Sequence, residues 1–334
     1  MKPFIFTCLL LLVLSSCDIF GGSGSTVPRA TGAAYEVIVV MSKDVKESVA
    51  GEAIIEELTS PVPYLLQTEE AMKITHVRPD QFGAFLRYVR NILIVNIDPK
   101  MYTKVSILRE NDKWAIGQMI LHLNAPDAQS VVTYFSENHR ILVNYYDKEE
   151  MKRTAELLRG AYSTTVLEKV KEKFGIELYA PVDIKSFNAK SEDDGLWFSN
   201  DARIGRTDIL VYSFPYVDTN TFTLDYLVAK RDSFTKRMLP GSHPGSYMTT
   251  EKRVVDYHSM SLNGKYCGVL RGLWRMEGDM MGGPFVSFAR VDEPNRRVIV
   301  TEGFVYEPKR DKRAYLRRIE AALYTTRFPD EINL

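Results

Sequence analysis

Few residues of this 334-residue chain combine a reactive side chain with a spacing that chemistry could use. His243 lies in Leu239–Tyr247 among Gly and Pro, which predicts an exposed imidazole able to titrate near neutral pH. With Ser242 or Ser246 as nucleophile, or Asp279 as partner, it would make a hydrolase. The Gly-x-Ser-x-Gly elbow that presents such a serine does not occur. The histidines, His76, His122, His139, His243 and His258, pair with no Cys or second His at a metal-ligand spacing. Asp218-Thr219-Asn220 begins like a calcium loop, but Thr223 and Ala229 stand where Gly and Glu are required. The Gly-rich turn Glu277–Gly283 lacks the Gly-Lys-Ser/Thr ending and precedes strand character, so it is no phosphate loop. No metal, nucleotide or cofactor is indicated. The sequence spells out no reaction.

It does spell out a modification. Met1 and Lys2 place charge ahead of Phe4–Leu14, an almost unbroken apolar run. As a helix this run reaches about 16 Å, against roughly 30 Å of bilayer hydrocarbon, which suits an export signal and not a membrane span. Leu14-Ser15-Ser16-Cys17 then looks like a bacterial lipobox. There the thiol receives a diacylglycerol, the signal (1–16) is cut away, and the new amino group takes a further acyl chain such as palmitate. Each buried CH₂ contributes about 0.8 kcal/mol, so two or three chains hold a protein on a membrane essentially permanently. Residues 17–34, Gly- and Ser-rich after Cys17, read as a lipidated tether with a reach of roughly 20–25 Å. Cys8 leaves with the signal, so Cys267 alone remains and no internal disulfide can form. Its setting in a strand predicts a buried, inert thiol.

The elements that must position any site follow from periodicity. Balanced charge, 43 basic against 43 acidic residues, argues against nucleic acid as a partner, and 45% hydrophobic content predicts a folded body. Strands are expected at Tyr35–Met41, Asn91–Asp98 and, as an antiparallel pair, Lys104–Arg109 with Trp114–Asn124. Helices are expected over Lys43–Leu58, from Ala125 onward, and over Lys148–Phe174 with a break near Gly160. The second half reads as strands at Gly195–Ser199 and Asp208–Tyr216, a helix over Thr223–Leu239, four strands between Met248 and Tyr306, and a closing helix, Lys312–Arg327. The fold class is α+β, with antiparallel sheets each covered by helices and a C-terminal meander followed by a helix. An N-terminal subdomain (35–147), a helical connection (148–175) and a C-terminal subdomain (176–334) follow.

Within that frame the most unusual stretch is Leu270–Pro284. Leu270, Gly272, Trp274 and Met276 share one strand face, and Gly272 beside a large indole could open a slot. Trp274, Arg271, Met276 and Asp279, with His243 and Tyr247 from the neighbouring loop, are therefore the candidate ligand- or partner-binding residues. The segments Arg271–Asp279, Gly282–Ser287, Tyr212–Tyr216, Leu227–Ser233, Gly245–Glu251, Leu196–Asn200, Asn91–Asp98 and Ala30–Val37 resemble a family of Bacteroides-type lipoproteins built on a domain of unknown function. That resemblance implies an envelope lipoprotein and carries no catalytic residue. In such lipoproteins an acidic or lysine-rich cluster after the acylated Cys marks surface export. Only Asp18 is charged here, which implies a body facing the periplasm from the inner or outer membrane. The expectation is a non-enzymatic, lipid-anchored module that binds a small ligand or another envelope protein. An envelope hydrolase using His243 with Ser246 or Asp279, and a structural subunit of an assembly complex, are the alternatives.

Overall fold

Long Val, Ile and Leu runs form the centre of two sheets, and more polar strands form their edges. The structure, a computed structural model, describes residues 27–188 and 195–332. The signal, Cys17 and residues 18–26 of the tether lie outside the described residues. The first sheet comprises Glu36–Val40 (β1), Lys73–Val77 (β2), Asn91–Ile97 (β3), Ser106–Asn111 (β4) and Met119–Ala125 (β5), in the order β2-β1-β3-β5-β4. The polar edge strand β2 carries no apolar periodicity and is not legible in the sequence. The antiparallel pairing of β4 with β5 is present as expected. The other three pairings, β1 with β2, β1 with β3, and β3 with β5, are parallel. For β1 and β2 the reason is connectivity: the helices Lys43–Lys46 (α1) and Val49–Thr59 (α2) return the chain between them, and a crossover of this kind makes strands parallel.

Three helices follow this sheet: Ala128–Glu137 (α3), Ile141–Gly160 (α4) and Thr164–Phe174 (α5). The chain breaks between α3 and α4 at Arg140, whose φ is 58°. Ile54 and Leu58 of α2, Val131 of α3, and Leu142 and Tyr146 of α4 cover one face of the sheet. The other face is covered by the loop carrying Phe82, Leu86 and Val89, together with Trp114. Residues 27–34, expected in the tether, are tied to this loop side: the Ala30 amide donates to the Ile116 carbonyl at 2.9 Å and the Thr31 amide to that of Tyr88 at 2.8 Å.

The second sheet is antiparallel throughout. Its strands are Ser186–Phe187 (β6), Gly195–Ser199 (β7), Arg206–Pro215 (β8), Tyr247–Leu262 (β9), Lys265–Glu277 (β10), Gly282–Asp292 (β11) and Arg297–Tyr306 (β12). Their order is β6-β7-β8-β12-β11-β10-β9. The α+β class and the C-terminal meander closed by a helix are as expected. The residues of β8, β11 and β12 are buried on both faces, so this sheet needs two covers. Leu224–Met238 (α6) covers one face with Leu227, Val228 and Phe234. Arg313–Leu323 (α7), followed by the short Pro329–Ile332 (α8), covers the other with Leu316, Ile319 and Leu323. At Gly303 of β12 a Cβ would collide with Ile319, so glycine is what lets α7 lie this close.

Two carboxylates of the first domain fix the helices between the sheets. Glu57 accepts from the Arg140 and Leu142 amides at the start of α4, each at 3.0 Å. Glu69 accepts from the Lys312 and Arg313 amides at the start of α7, at 2.7 and 2.9 Å. Each satisfies free helix donors and places negative charge at a helix N-terminus, where the dipole favours it. As a result α4 and α7 lie side by side, one from each domain, with a gap along part of their length.

Candidate functional site

The residues of the expected site do not share one pocket: Asp279 meets the His243 loop, Trp274 and Met276 lie in the core under α6, and Arg271 pairs with Glu320. Trp274 and Met276 do share the expected face with Leu270, but that face is sealed under α6. Trp274 is 3% exposed, its Nε1 donates to the Val305 carbonyl at 3.2 Å, and Phe304 meets its ring edge-on at 5.8 Å. Gly272 opens no slot. A Cβ there would lie 2.5 Å from the Val254 carbonyl oxygen, so the glycine admits the bulged backbone of β9. The indole is core.

The His243 loop holds itself together. The Ser246 hydroxyl donates to the His243 carbonyl at 2.5 Å and accepts from the His243 amide at 3.2 Å, so it faces that residue's backbone and not its ring. Asp279 accepts from the Ser242 hydroxyl and, at 2.9 Å, from its amide, which holds the Asp279 carboxyl below its ordinary range. Tyr247 lies under the Lys236 ammonium, 4.6 Å from the ring centroid. These contacts pin a turn across the Glu277–Gly283 hairpin. They do not assemble a nucleophile, a base and an orienting acid.

Arg271 alone leads to a site. Its side chain projects to the α7 face of the sheet, opposite Trp274, and forms a two-pronged pair with Glu320, Nη1 to Oε2 at 2.8 Å. Burial works against its charge, but Glu320 outweighs this and raises its pKa. The pair forms part of a cleft of about 950 Å³ between the domains. One wall is α4, the other is α7 and the β9–β10 hairpin, and the Val62-Pro63-Tyr64 turn closes one side. This lies at the upper end of the size range of small-molecule sites, about 300–1,000 Å³. Met151 and Ala155 of α4 face Leu316 of α7 and Leu262 of β9 across it, giving an apolar interior.

Charge in the cleft is ordered. Three carboxylates line it, and each faces an arginine: Asp147 with Arg317 at 2.7 Å, Glu149 with Arg109 at 2.6 Å, and Glu320 with Arg271. Arg317 also donates to the Ala71 carbonyl at 3.0 Å and stacks 4.0 Å over the Tyr35 ring. Burial pushes Asp147 up to about 6, with Arg317 opposing and Glu320 adding to the shift. His258 on β9 is lowered by burial and then by Arg271. The remaining cations are Arg140, which donates to the Ser60 hydroxyl and Pro61 carbonyl, and Lys148, Lys152 and Arg159. None of those last three side chains has an ion pair or hydrogen bond among the described residues, and Arg159 Nε is buried without a partner. The cleft is therefore cationic by the charges of one helix.

This arrangement was hidden from sequence reasoning because α4 reads as a connection between domains. The available signal was in α7, where Arg317 and Glu320 occupy buried positions among Leu316, Ile319 and Leu323. Buried charges seldom occur unpaired, so they point to partners across an interface. Cys267 is buried and free as expected, its thiol pushed up to about 12 by burial. Among the described residues no cluster of His, Cys, Asp and Glu could hold a metal ion, and no helix is long and apolar enough to cross a membrane.

Residues 30–159 match the family described as Domain of unknown function (DUF8532), and residues 163–325 match Domain of unknown function (DUF4837). Two domains of unknown function cover most of the chain. Their matches meet in the turn between α4 and α5, so the cleft is formed where the two domains face each other. No curated protein matches the chain. Among solved structures, the Ran-binding protein Mog1p of Saccharomyces cerevisiae is similar at a TM-score of 0.30 and 10% identity, over 46% of this chain and 91% of that one. A likeness of that size carries no argument here.

Proposed function

We propose that this is a lipid-anchored envelope protein whose body, on the periplasmic side, holds a small ligand in the cleft between its two domains without transforming it. The observation that carries the reading is the cleft itself, about 950 Å³ with an apolar interior and walls from both domains. Sites at domain interfaces with a few convergent polar groups are where ligands are most often held. A binding role is favoured over hydrolysis because Ser246 is engaged by the His243 backbone, and Asp279 by the amide and hydroxyl of Ser242. Anchoring rests on Leu14-Ser15-Ser16-Cys17, and the periplasmic side on the lack of a charged cluster after Cys17.

Two measurements test the two halves. Cys17→Ala should leave the protein in the soluble fraction after a high-salt wash, whereas retention on membranes would end the anchor claim. Protein extracted gently from its own membranes should carry a small molecule at one per chain by native mass spectrometry. Asn144→Trp, an exposed position on the cleft wall, should displace it. Empty wild-type protein, or full retention of the molecule by Asn144→Trp, would sink the cleft as the site.

A further inference from the structure

We infer that the ligand is an amphipathic organic anion, lying along α4 with its acidic group on Lys148, Lys152 and Arg159 and its apolar body on Met151 and Ala155. The inference rests on the cleft reading above and specifies its ligand. With 3.6 residues per turn, Lys148, Lys152 and Arg159 fall within roughly 40° of arc, a single ridge running roughly 16 Å along the helix. Met151 and Ala155 form the adjacent stripe on the inner side of that ridge. The two stripes line one cleft, so a ligand seated there meets cations along one edge and methyl and thioether groups along the other.

The charge is available and not already answered. All three carboxylates of the lining face arginines, and the three ridge cations have no partner among the described residues. A neutral apolar ligand would leave them unanswered, and the buried Arg159 Nε would stay unsatisfied. A cationic ligand would be repelled. A bare inorganic anion would use the ridge but make no contact with the apolar part of the lining, Met151, Ala155, Leu262 and Leu316. An anionic head on an aliphatic body answers both surfaces. The head could be a carboxylate or a phosphate monoester, since a lysine ammonium serves either as a point charge.

Calorimetric titration of the full soluble body with decanoate, decyl phosphate, 1-decanol and inorganic phosphate tests this. The expected result is one site for decanoate or decyl phosphate, with whichever binds tighter identifying the head. Decanol and inorganic phosphate should bind at least tenfold more weakly. Lys148 and Lys152 are exposed, so Lys148→Gln/Lys152→Gln should fold normally and lose at least tenfold in affinity, while Lys148→Arg/Lys152→Arg should restore it. Equal binding of decanol, or no loss in the double Gln variant, would overturn the anion claim and leave the cleft as a site for a neutral ligand. Failure of all four probes would also overturn it. The cleft reading then stands if a molecule still co-purifies and is displaced by Asn144→Trp, and falls with it if none does.

Discussion

The two faces of the seven-stranded sheet each bury an Arg–Glu pair under a helix, and the two pairs have opposite fates. Under α6, Arg231 is fully buried, donates from Nε and Nη2 to Glu302, reaches the Thr250 hydroxyl at 2.9 Å, and lies 3.8 Å over the Phe285 ring. No lining residue of the cleft comes from α6. Under α7, Arg271 holds Glu320 in the same way, but its side chain is 26% exposed and lies on the wall of the cleft. Composition does not separate the two. What separates them is whether the neighbouring helix is sealed by apolar side chains or stands off from a second domain. A buried ion pair is thus a poor marker of function until the space around it is known.

The sharpest way to break this comparison is to remove each arginine. Arg231→Ala leaves the Glu302 carboxylate buried and unpaired, and should destabilise the protein by about 3–5 kcal/mol, enough to abolish the folded state in many backgrounds. Trp274→Ala on the same sealed face should follow at about 3–4 kcal/mol, because it creates a cavity among Phe304, Tyr306 and Phe285. A thermal transition left nearly intact in Trp274→Ala would restore it as a surface contact and contradict the packing described here. Arg271→Ala should be milder, about 2 kcal/mol, since water in the cleft can solvate Glu320. Chemical denaturation of the three variants ranks them directly. If Arg271→Ala proves as damaging as Arg231→Ala, the cleft is closed in solution.

The same contrast explains what the sequence made legible. The meander was visible because the alternation of Leu270, Trp274 and Met276 is a local signal. The face they share was read correctly. Whether that face was open could not be read, since the lid, α6, lies some forty residues away in sequence and nothing local encodes its docking. In the first half, β1, β3 and the β4–β5 hairpin announced themselves by buried aliphatic runs and a polar turn. The parallel pairing of β1 with β2 did not, because β2 (Lys-Ile-Thr-His-Val) lacks an apolar pattern and is selected by the crossover through α2. The cleft was least legible. Its lining combines α4, α7 and a hairpin, and the alignment of those elements depends on Glu57 and Glu69 accepting from backbone amides far along the chain.

The smallest expected effect concerns the pH dependence of the open face. Asp147 is raised from its ordinary value to about 6, chiefly by burial, so the folded state binds its proton more tightly than the unfolded chain does. Between about pH 4 and 6 the folded protein therefore holds more protons at this position, and stability falls as pH rises through that window. The carboxyl is 28% exposed, which reduces the effect to about 1–2 kcal/mol across the window. Asp147→Asn keeps an acceptor for Arg317 and removes the titration. It should match the wild type near pH 4, exceed it in stability at pH 7.5, and flatten the difference in slope between those limits. Asp208 and Glu302 are also raised by burial but are present in both proteins, so the difference between the two curves isolates Asp147. A variant that loses stability at pH 7.5 would mean that the bond to Arg317 outweighs desolvation. The open face would then be held by its ion pairs as firmly as the sealed one.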